Sequence, residues 1–240
     1  MPQARPLPEE PTPVPNQEAD PRRSRQLNQE FVRQLRLRLG MACYAAKPAP
    51  AGQVLARSGE RVVRLPLIES GQIDAVLHVG DQGNQVIPVS FLPGELALVS
   101  TLFSDQPSHV DMVAATDLSA RWIPIADIEQ CLLQSPDLLV LAVRFLAQRL
   151  REAQSRERGW LERGVQERVC AVVSRFLHDG AAQADGRLLI VVTHDRLAAH
   201  CGLSRPKLSR ELKRLELAGA LRLHRGAIEI LDRGAFALAG

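Results

Sequence analysis

The chain has 240 residues, 45% hydrophobic but only 4% aromatic, with 30 basic against 27 acidic side chains and a net charge of +3. That length and composition allow two domains with largely aliphatic cores. Its apolar runs, such as Leu138 to Val143, fall far short of the ~20 residues a membrane-spanning helix needs, and no basic stretch followed by an apolar one marks a signal peptide, so a cytoplasmic protein without a membrane partner is expected. The four cysteines, Cys43, Cys131, Cys170 and Cys201, are dispersed and form no C-x-x-C pair, which argues against a zinc site or a disulfide framework. The charge is uneven: Val165 to Gly240 holds 12 Lys/Arg against 8 Asp/Glu, the remainder 18 against 19. The positive excess belongs to the C-terminal third and is modest, so an anionic partner there must also be held by specific contacts.

In chain order, residues 1–25 carry seven prolines and little to bury, the composition of a disordered tail. Leu27, Phe31, Leu35 and Leu39 recur every four residues and predict an amphipathic helix over 27–39. From Gln53 to about Ile125, short Val/Ile/Leu runs are broken by glycines roughly every ten residues, which predicts a small antiparallel sandwich or barrel. Ser70-Gly71 and Asp81-Gln82-Gly83 read as hairpin turns. A short helix over 127–133 is followed by a longer one opening at Ser135-Pro136-Asp137. Its apolar residues from Leu138 to Leu150 cover more than one side, so it has two surfaces to bury, one in its own domain and one against a partner chain. Gly159 and Gly164 bracket an expected hinge, Val165 to Leu177 is a further helix, His178 to Gly186 a polar turn, and Leu188 to Val192 a short strand.

The segment 193–217, THDRLAAHCGLSRPKLSRELKRLEL, carries the most information. Thr193 can cap a first helix, Gly202 supplies the positive φ of a tight turn, Ser204 can cap a second helix and Pro206 fits its first turn. Leu208, Leu212 and Leu215 share one stripe, leaving Pro206, Ser209, Arg210 and Lys213 opposite. For an isolated helix of this kind, a solvated surface is the more common reading. Here it is followed by Gly219 and by Leu221, Leu223, Ile228 and Ile230 flanking His224-Arg225-Gly226, a hairpin signal. Helix, turn, helix and hairpin make a winged helix, a unit that lays its second helix in the major groove of duplex DNA. Arg225 at the wing tip suits a phosphate.

Glycine-punctuated sandwich, long helix, hinge and winged helix together resemble the bacterial Crp/Fnr family of transcription regulators over roughly residues 30–240. The resemblance is strongest in LSRPKLSRELKRLELAGAL and HRGAIEILD. It implies an α+β fold with an N-terminal antiparallel β-roll over 26–134, a dimerisation helix and hinge over 135–163 and a winged helix over 164–240. It also implies a homodimer on double-stranded DNA whose recognition helices lie about 34 Å apart, RNA polymerase as a further partner, and a small-molecule effector in the roll. The expected DNA-binding residues are Thr193, Ser204, Arg205, Lys207, Ser209, Arg210, Lys213 and Arg225. Ser209-Arg210 matches the family pair whose arginine reads guanine, and two parallel N–H bonds to O6 and N7 suit that role. Pro206 stands where the family usually has Glu, so an altered consensus is expected.

For the effector, Gly94, Glu95 and Ser108 are the candidate pocket residues. Cyclic-nucleotide members grip the phosphate with an arginine in this region, yet no Lys or Arg occurs between Arg64 and Arg121. A buried phosphodiester without a cation is heavily penalised, so tight cAMP binding is not expected. Cys43 alone lies early, too few thiols for an iron–sulfur cluster. His78 and His109 are candidate haem ligands, but a single strand histidine is more commonly structural, so no cofactor or metal is expected. No P-loop, G-x-S-x-G or dinucleotide fingerprint points to an enzyme. The alternative reading is a ligand-independent DNA-bound scaffold, or a protein-interaction module, on a degenerate sensor.

Overall fold

The computed structural model describes residues 21–80, 84–180, 182–184 and 187–236. It is an α+β protein. An opening helix α1 (Pro21–Arg38) precedes two antiparallel sheets built from β1 (Ala46–Ala49), β2 (Val54–Ala56), β3 (Arg64–Ser70), β4 (Ile73–Val79), β5 (Asn84–Phe91), β6 (Asp111–Ala114) and β7 (Leu118–Pro124). One sheet has the order β1-β7-β3, the other β2-β6-β4-β5. Then come α2 (Ile125–Leu133), α3 (Pro136–Glu162), α4 (Val165–Gly180), β8 (Ala182–Ala184), β9 (Arg187–Val191), α5 (His194–Cys201), α6 (Arg205–Leu217), β10 (Leu221–His224) and β11 (Ala227–Ile230).

The two sheets close on an aliphatic core containing Leu65, Leu67, Ile68, Ile73, Met112 and Ile123, each fully buried. Phe31, Val32 and Leu35 of α1 and Leu138, Ala142 and Phe145 of α3 belong to the same cluster. Thus the apolar stripe expected over 27–39 does face a core, but its helix begins earlier, at Pro21. Residues 21–25, assigned to the tail by composition, are helical. Proline costs little at a first helical position, and the turn is anchored where Ser24 Oγ donates to Glu152 at 2.9 Å and Arg25 to Asp179 at 2.6 Å. The rest of the expected tail, 1–20, lies outside the described residues.

The Ser70-Gly71 turn does not close a paired hairpin. It carries the chain from one sheet to the other, since β3 pairs with β7 and β4 with β5 and β6. Gly71 has φ +84°, and a Cβ there would run into the carbonyl oxygen of Asp117. The turn expected at 81–83 lies outside the described residues, although β4 and β5 pair antiparallel across it, Val79 opposite Asn84.

Gly159 does not break the long helix. It is buried inside α3, which runs on to Glu162, and the chain turns at Arg163 in extended conformation (φ −92°, ψ 139°) before α4. The expected polar turn over 178–186 gives way to the end of α4 and to β8, which pairs with β9. The sheet β10-β11-β9-β8 packs under α4, α5 and α6 around a second core of Val169, Val173, Leu197, Leu208, Leu212, Leu221 and Ile228. Val76, Ile87 and Ala199 form a small third cluster joining α5 to the β-roll. All four cysteines are free thiols, but only Cys131 and Cys201 are buried. Among the described residues no single helix is long and apolar enough to cross a membrane.

Candidate nucleic-acid interface

The leucine stripe of α6 decides which way its cations point. Leu208 and Leu212 are fully buried and Leu215 nearly so, so Arg205, Lys207, Arg210 and Lys213 project from the exposed side. Pro206 sits in the first turn. Thr193 caps α5, its hydroxyl accepting from the Arg196 N–H at 3.2 Å. Ser204 occupies the N-cap position of α6 with extended dihedrals, but its side chain makes no capping bond. Its exposed hydroxyl is left to other partners. Gly202, at φ +58°, forms the turn, and Arg168 braces it by donating to the carbonyls of Cys201 (3.1 and 2.6 Å) and Gly202 (2.7 Å). A Cβ on Gly202 would stand 2.9 Å from that guanidinium.

The exposed side chains are lightly held. Arg210 Nε donates to the Pro206 carbonyl at 3.3 Å, Arg205 lies 3.5 Å from Asp195, Lys213 pairs with Glu216 at 2.8 Å, and Ser209 Oγ is 3.3 Å from His194 Nδ1. Exposed pairs of this kind are worth little, so these groups exchange partners cheaply. Arg225 is exposed at the tip of the β10–β11 hairpin, and β11 pairs with β9, which leads directly into Thr193. Wing and helix pair therefore share one sheet connection and one core. Arg214 also projects, held by Glu211 at 2.7 Å; it falls between the faces read from sequence and was not singled out there.

No hydrogen bond joins Ser108 to Gly94 or Glu95. Gly94 makes a turn at φ +83° with its N–H bonded to Ile68 O at 2.9 Å. Glu95 is buried and accepts from the Leu92 N–H at 2.6 Å. Burial pushes its carboxyl pKa up, against that bond and the Arg25 guanidinium 3.6 Å away. Ser108 is buried elsewhere, donating to Val110 O at 2.9 Å, with its backbone paired to Gly59 and Glu60. His78 is held by Asp111 at 3.0 Å and His109 is exposed. Among the described residues no cluster of His, Cys, Asp and Glu is arranged to hold a metal.

Sequence reasoning missed the junction between the two units. Asp74 of β4 accepts from Arg196 Nε at 2.8 Å and Nη2 at 3.0 Å, and from Ser90 Oγ at 2.6 Å. Both partners are largely buried. These residues lie 122 positions apart; Arg196 falls inside the helix-turn-helix segment but was not singled out there, and Asp74 belongs to no motif.

A family model for a Crp-like helix-turn-helix domain matches residues 167–238, and one for a cyclic nucleotide-binding domain matches residues 46–135. The chain is 26% identical over 207 residues to a cyclic AMP receptor protein of Thermus thermophilus, covering 84% of this chain and 93% of that one. Among solved structures it is similar to the c-di-GMP-responsive global regulator CLP of Xanthomonas campestris (TM-score 0.71, 18% identity, 85% and 99% of the two chains). It is also similar to a CRP/FNR-family transcriptional regulator of Thermus thermophilus (TM-score 0.68, 24% identity, 80% and 96%).

Proposed function

The chain belongs to the Crp/Fnr family of transcription regulators, with a helix-turn-helix DNA-binding domain, and on that premise we propose that it acts as a homodimer that reads a twofold site in duplex DNA, without a catalytic step, in the cytoplasm. The reading divides the chain into a roll over 26–134, a dimerisation helix and hinge over 135–163, and a reader over 164–240. The observation that carries it is the orientation of α6: leucines inward, Arg205, Lys207, Arg210 and Lys213 outward.

Dimerisation is supported by α3. Val140, Val143, Ala147, Leu150, Gln154, Glu157 and Leu161 are all exposed and follow a three-four spacing. That is the period of a two-stranded coiled-coil seam. Leu150 and Leu161 are 60% and 88% exposed, large for side chains that a monomer would leave in water. The opposite face of the same helix carries Leu138, Ala142 and Phe145 into the core.

In the reader, Arg210 takes a guanine edge, Thr193, Ser204, Lys207, Lys213 and Arg225 take phosphates, and Arg205 and Ser209 border the bases. In the roll, cAMP lacks its phosphate partner. The first cation after Arg64 is Arg121, whose guanidinium is committed to Glu69 at 2.9 Å and to the carbonyls of Met41 (3.2 Å) and Tyr44 (2.8 Å). Contact with RNA polymerase follows from the family role. Selection of bound fragments from random DNA by the purified full chain tests the proposal. A near-palindromic consensus with half-sites about one helical turn apart is expected, whereas recovery of unrelated sequences would refute it.

A further inference from the structure

The junction between roll and reader forms a half-open cavity of about 510 Å³, walled by β5, α3, α4, α5 and the start of α1. Its electrostatics are lopsided. Seven arginines line it against three carboxylates, Glu95, Glu152 and Asp179. Five of the arginines are accounted for: Arg25 by Asp179, Arg196 by Asp74, Arg168 by backbone carbonyls, Arg149 by Glu152 at 3.4 Å, and Arg163, which has a partner of its own. Arg156 and Arg175 are not. Arg156 donates to the Pro88 carbonyl at 2.5 Å and Arg175 to His200 Nδ1 at 3.2 Å, and among the described residues neither forms an ion pair. Both guanidinium groups are partly withdrawn from water and donate directly to neutral acceptors, with Glu152 acting on Arg156 and Asp179 on Arg175 only at longer range, an arrangement that a further negative charge would stabilise.

A second observation points the same way. Among the described residues three buried side-chain polar atoms lack a hydrogen-bonding partner: Arg25 Nε, His200 Nε2 and Glu152 Oε1. All three residues line this cavity. His200 accepts at Nδ1 from Arg175, so its Nε2 carries the proton, and both it and Arg25 Nε are donors. The Ile87 backbone accepts weakly from the His200 ring, short of a full hydrogen bond to Nε2. Arg25 Nε faces Glu95 at 3.6 Å and Glu152 Oε1 is an acceptor, so the His200 donor beside the two cations, with Trp160 and Phe176 as the apolar wall, is what suits an anion with several acceptor oxygens.

We infer that this interdomain cavity is the binding site for a small, multiply charged phosphorylated ligand, held by Arg156, Arg175 and the His200 Nε2–H. Of the three effector candidates in the roll, Glu95 reaches this cavity while Gly94 and Ser108 do not line it. Guanidinium groups pair with phosphate oxygens in bidentate geometry. A ligand touching both units favours the arrangement in which they are docked, and so sets where α6 stands relative to the dimer helix. Occupancy of the cavity does not depend on the DNA-binding reading; only its consequence for DNA does.

The test is fluorescence titration of full-length protein carrying Trp122→Phe, which leaves Trp160 in the cavity wall as the single tryptophan of the two in the chain. The probe is inorganic pyrophosphate, with orthophosphate, adenosine and a random-sequence duplex as comparisons. Saturable change in Trp160 emission with pyrophosphate, weaker with orthophosphate and absent with adenosine and duplex, is expected. Arg156→Gln should weaken it about tenfold or more, the loss of one charge-assisted contact, and Arg156→Lys should recover part. No saturable response of the wild-type cavity up to millimolar pyrophosphate would overturn the assignment whether or not the variants fold. An equal response in folded Arg156→Gln, or a response to duplex matching that to pyrophosphate, would overturn it too. DNA binding, measured separately, reports on the reader alone.

Discussion

Replacing Asp74 by Asn tests whether the two units are latched by charge. The change keeps the side chain's shape, removes the negative charge and puts an amide donor where one carboxylate oxygen accepted from Arg196. Asp74 also accepts from Ser90 and from Gln72 at 3.3 Å, so three donors lose strength together. Breaking a fully buried ion pair costs roughly 3–5 kcal/mol. The Arg196 side chain is 19% exposed and Asp74 5%, so water recovers part of that, leaving about 2–3 kcal/mol. This corresponds to roughly 30- to 150-fold in the docked–undocked equilibrium. The assay is a double-mutant cycle of Asp74→Asn, Arg196→Gln and the pair, followed by urea unfolding. A coupling of about 2 kcal/mol or more is expected. Additivity within ~0.5 kcal/mol would mean that the latch carries no free energy and that apolar contacts alone hold the reader to the roll.

Arg210→Ala should lower discrimination at one base pair per half-site by about 1–3 kcal/mol, read as the ratio of specific to random-DNA affinity; equal loss on both would make Arg210 a phosphate contact. Arg225→Ala should weaken binding to all sequences and reduce the salt slope by about one, and an unchanged slope would remove the wing from the interface. Leu150→Glu should shift sedimentation toward monomer, because it places a carboxylate on the exposed α3 seam; a persistent dimer would locate the interface elsewhere. The His200 imidazole is held well below its ordinary 6.5 by burial first and then by Arg175, Arg196 and Arg156. The folded state therefore resists a proton that the unfolded chain accepts, so the stability it contributes above pH 6.5 is lost as pH falls. Glu95 and Glu152, whose pKa values are raised by burial, act in the opposite sense, favouring the folded state as pH falls. The thermal midpoint of His200→Gln should accordingly fall less steeply below pH 6.5 than that of wild type, and parallel curves would refute the assignment.

The reader was the most legible part of the chain because local rules determine it. Leu208, Leu212 and Leu215 announce their own burial by spacing, Gly202 announces its turn, and the hairpin is adjacent in sequence. The roll was legible as a class, but its connections were not. Ser70-Gly71 has the composition of a hairpin turn, and only the pairing of β3 with β7, some fifty residues on, reveals a crossing between sheets. Gly159 and Gly164 bracket the turn of the chain at Arg163, where a hinge was expected, although Gly159 itself stays helical. Backbone hydrogen bonds carry α3 past it, and Arg163 N–H still bonds to its carbonyl at 3.1 Å. The junction was invisible for a different reason. Arg156, Arg175 and Arg196 sit on helices where a charged residue reads as solvated, and only the docking of two remote units withdraws them from water.

The apolar interior falls into two separate nuclei bridged by only a few side chains, among them Val76, Ile87 and Ala199. The first is complete once Phe145 has been made. On a ribosome, the roll can therefore finish collapsing while the reader is still unmade, and the second nucleus condenses only after Phe236 emerges. Birth order thus protects the chain from mixing its two interiors. It also fixes the junction as the last surface to form, whose arginines meet their counterparts only once both halves stand ready.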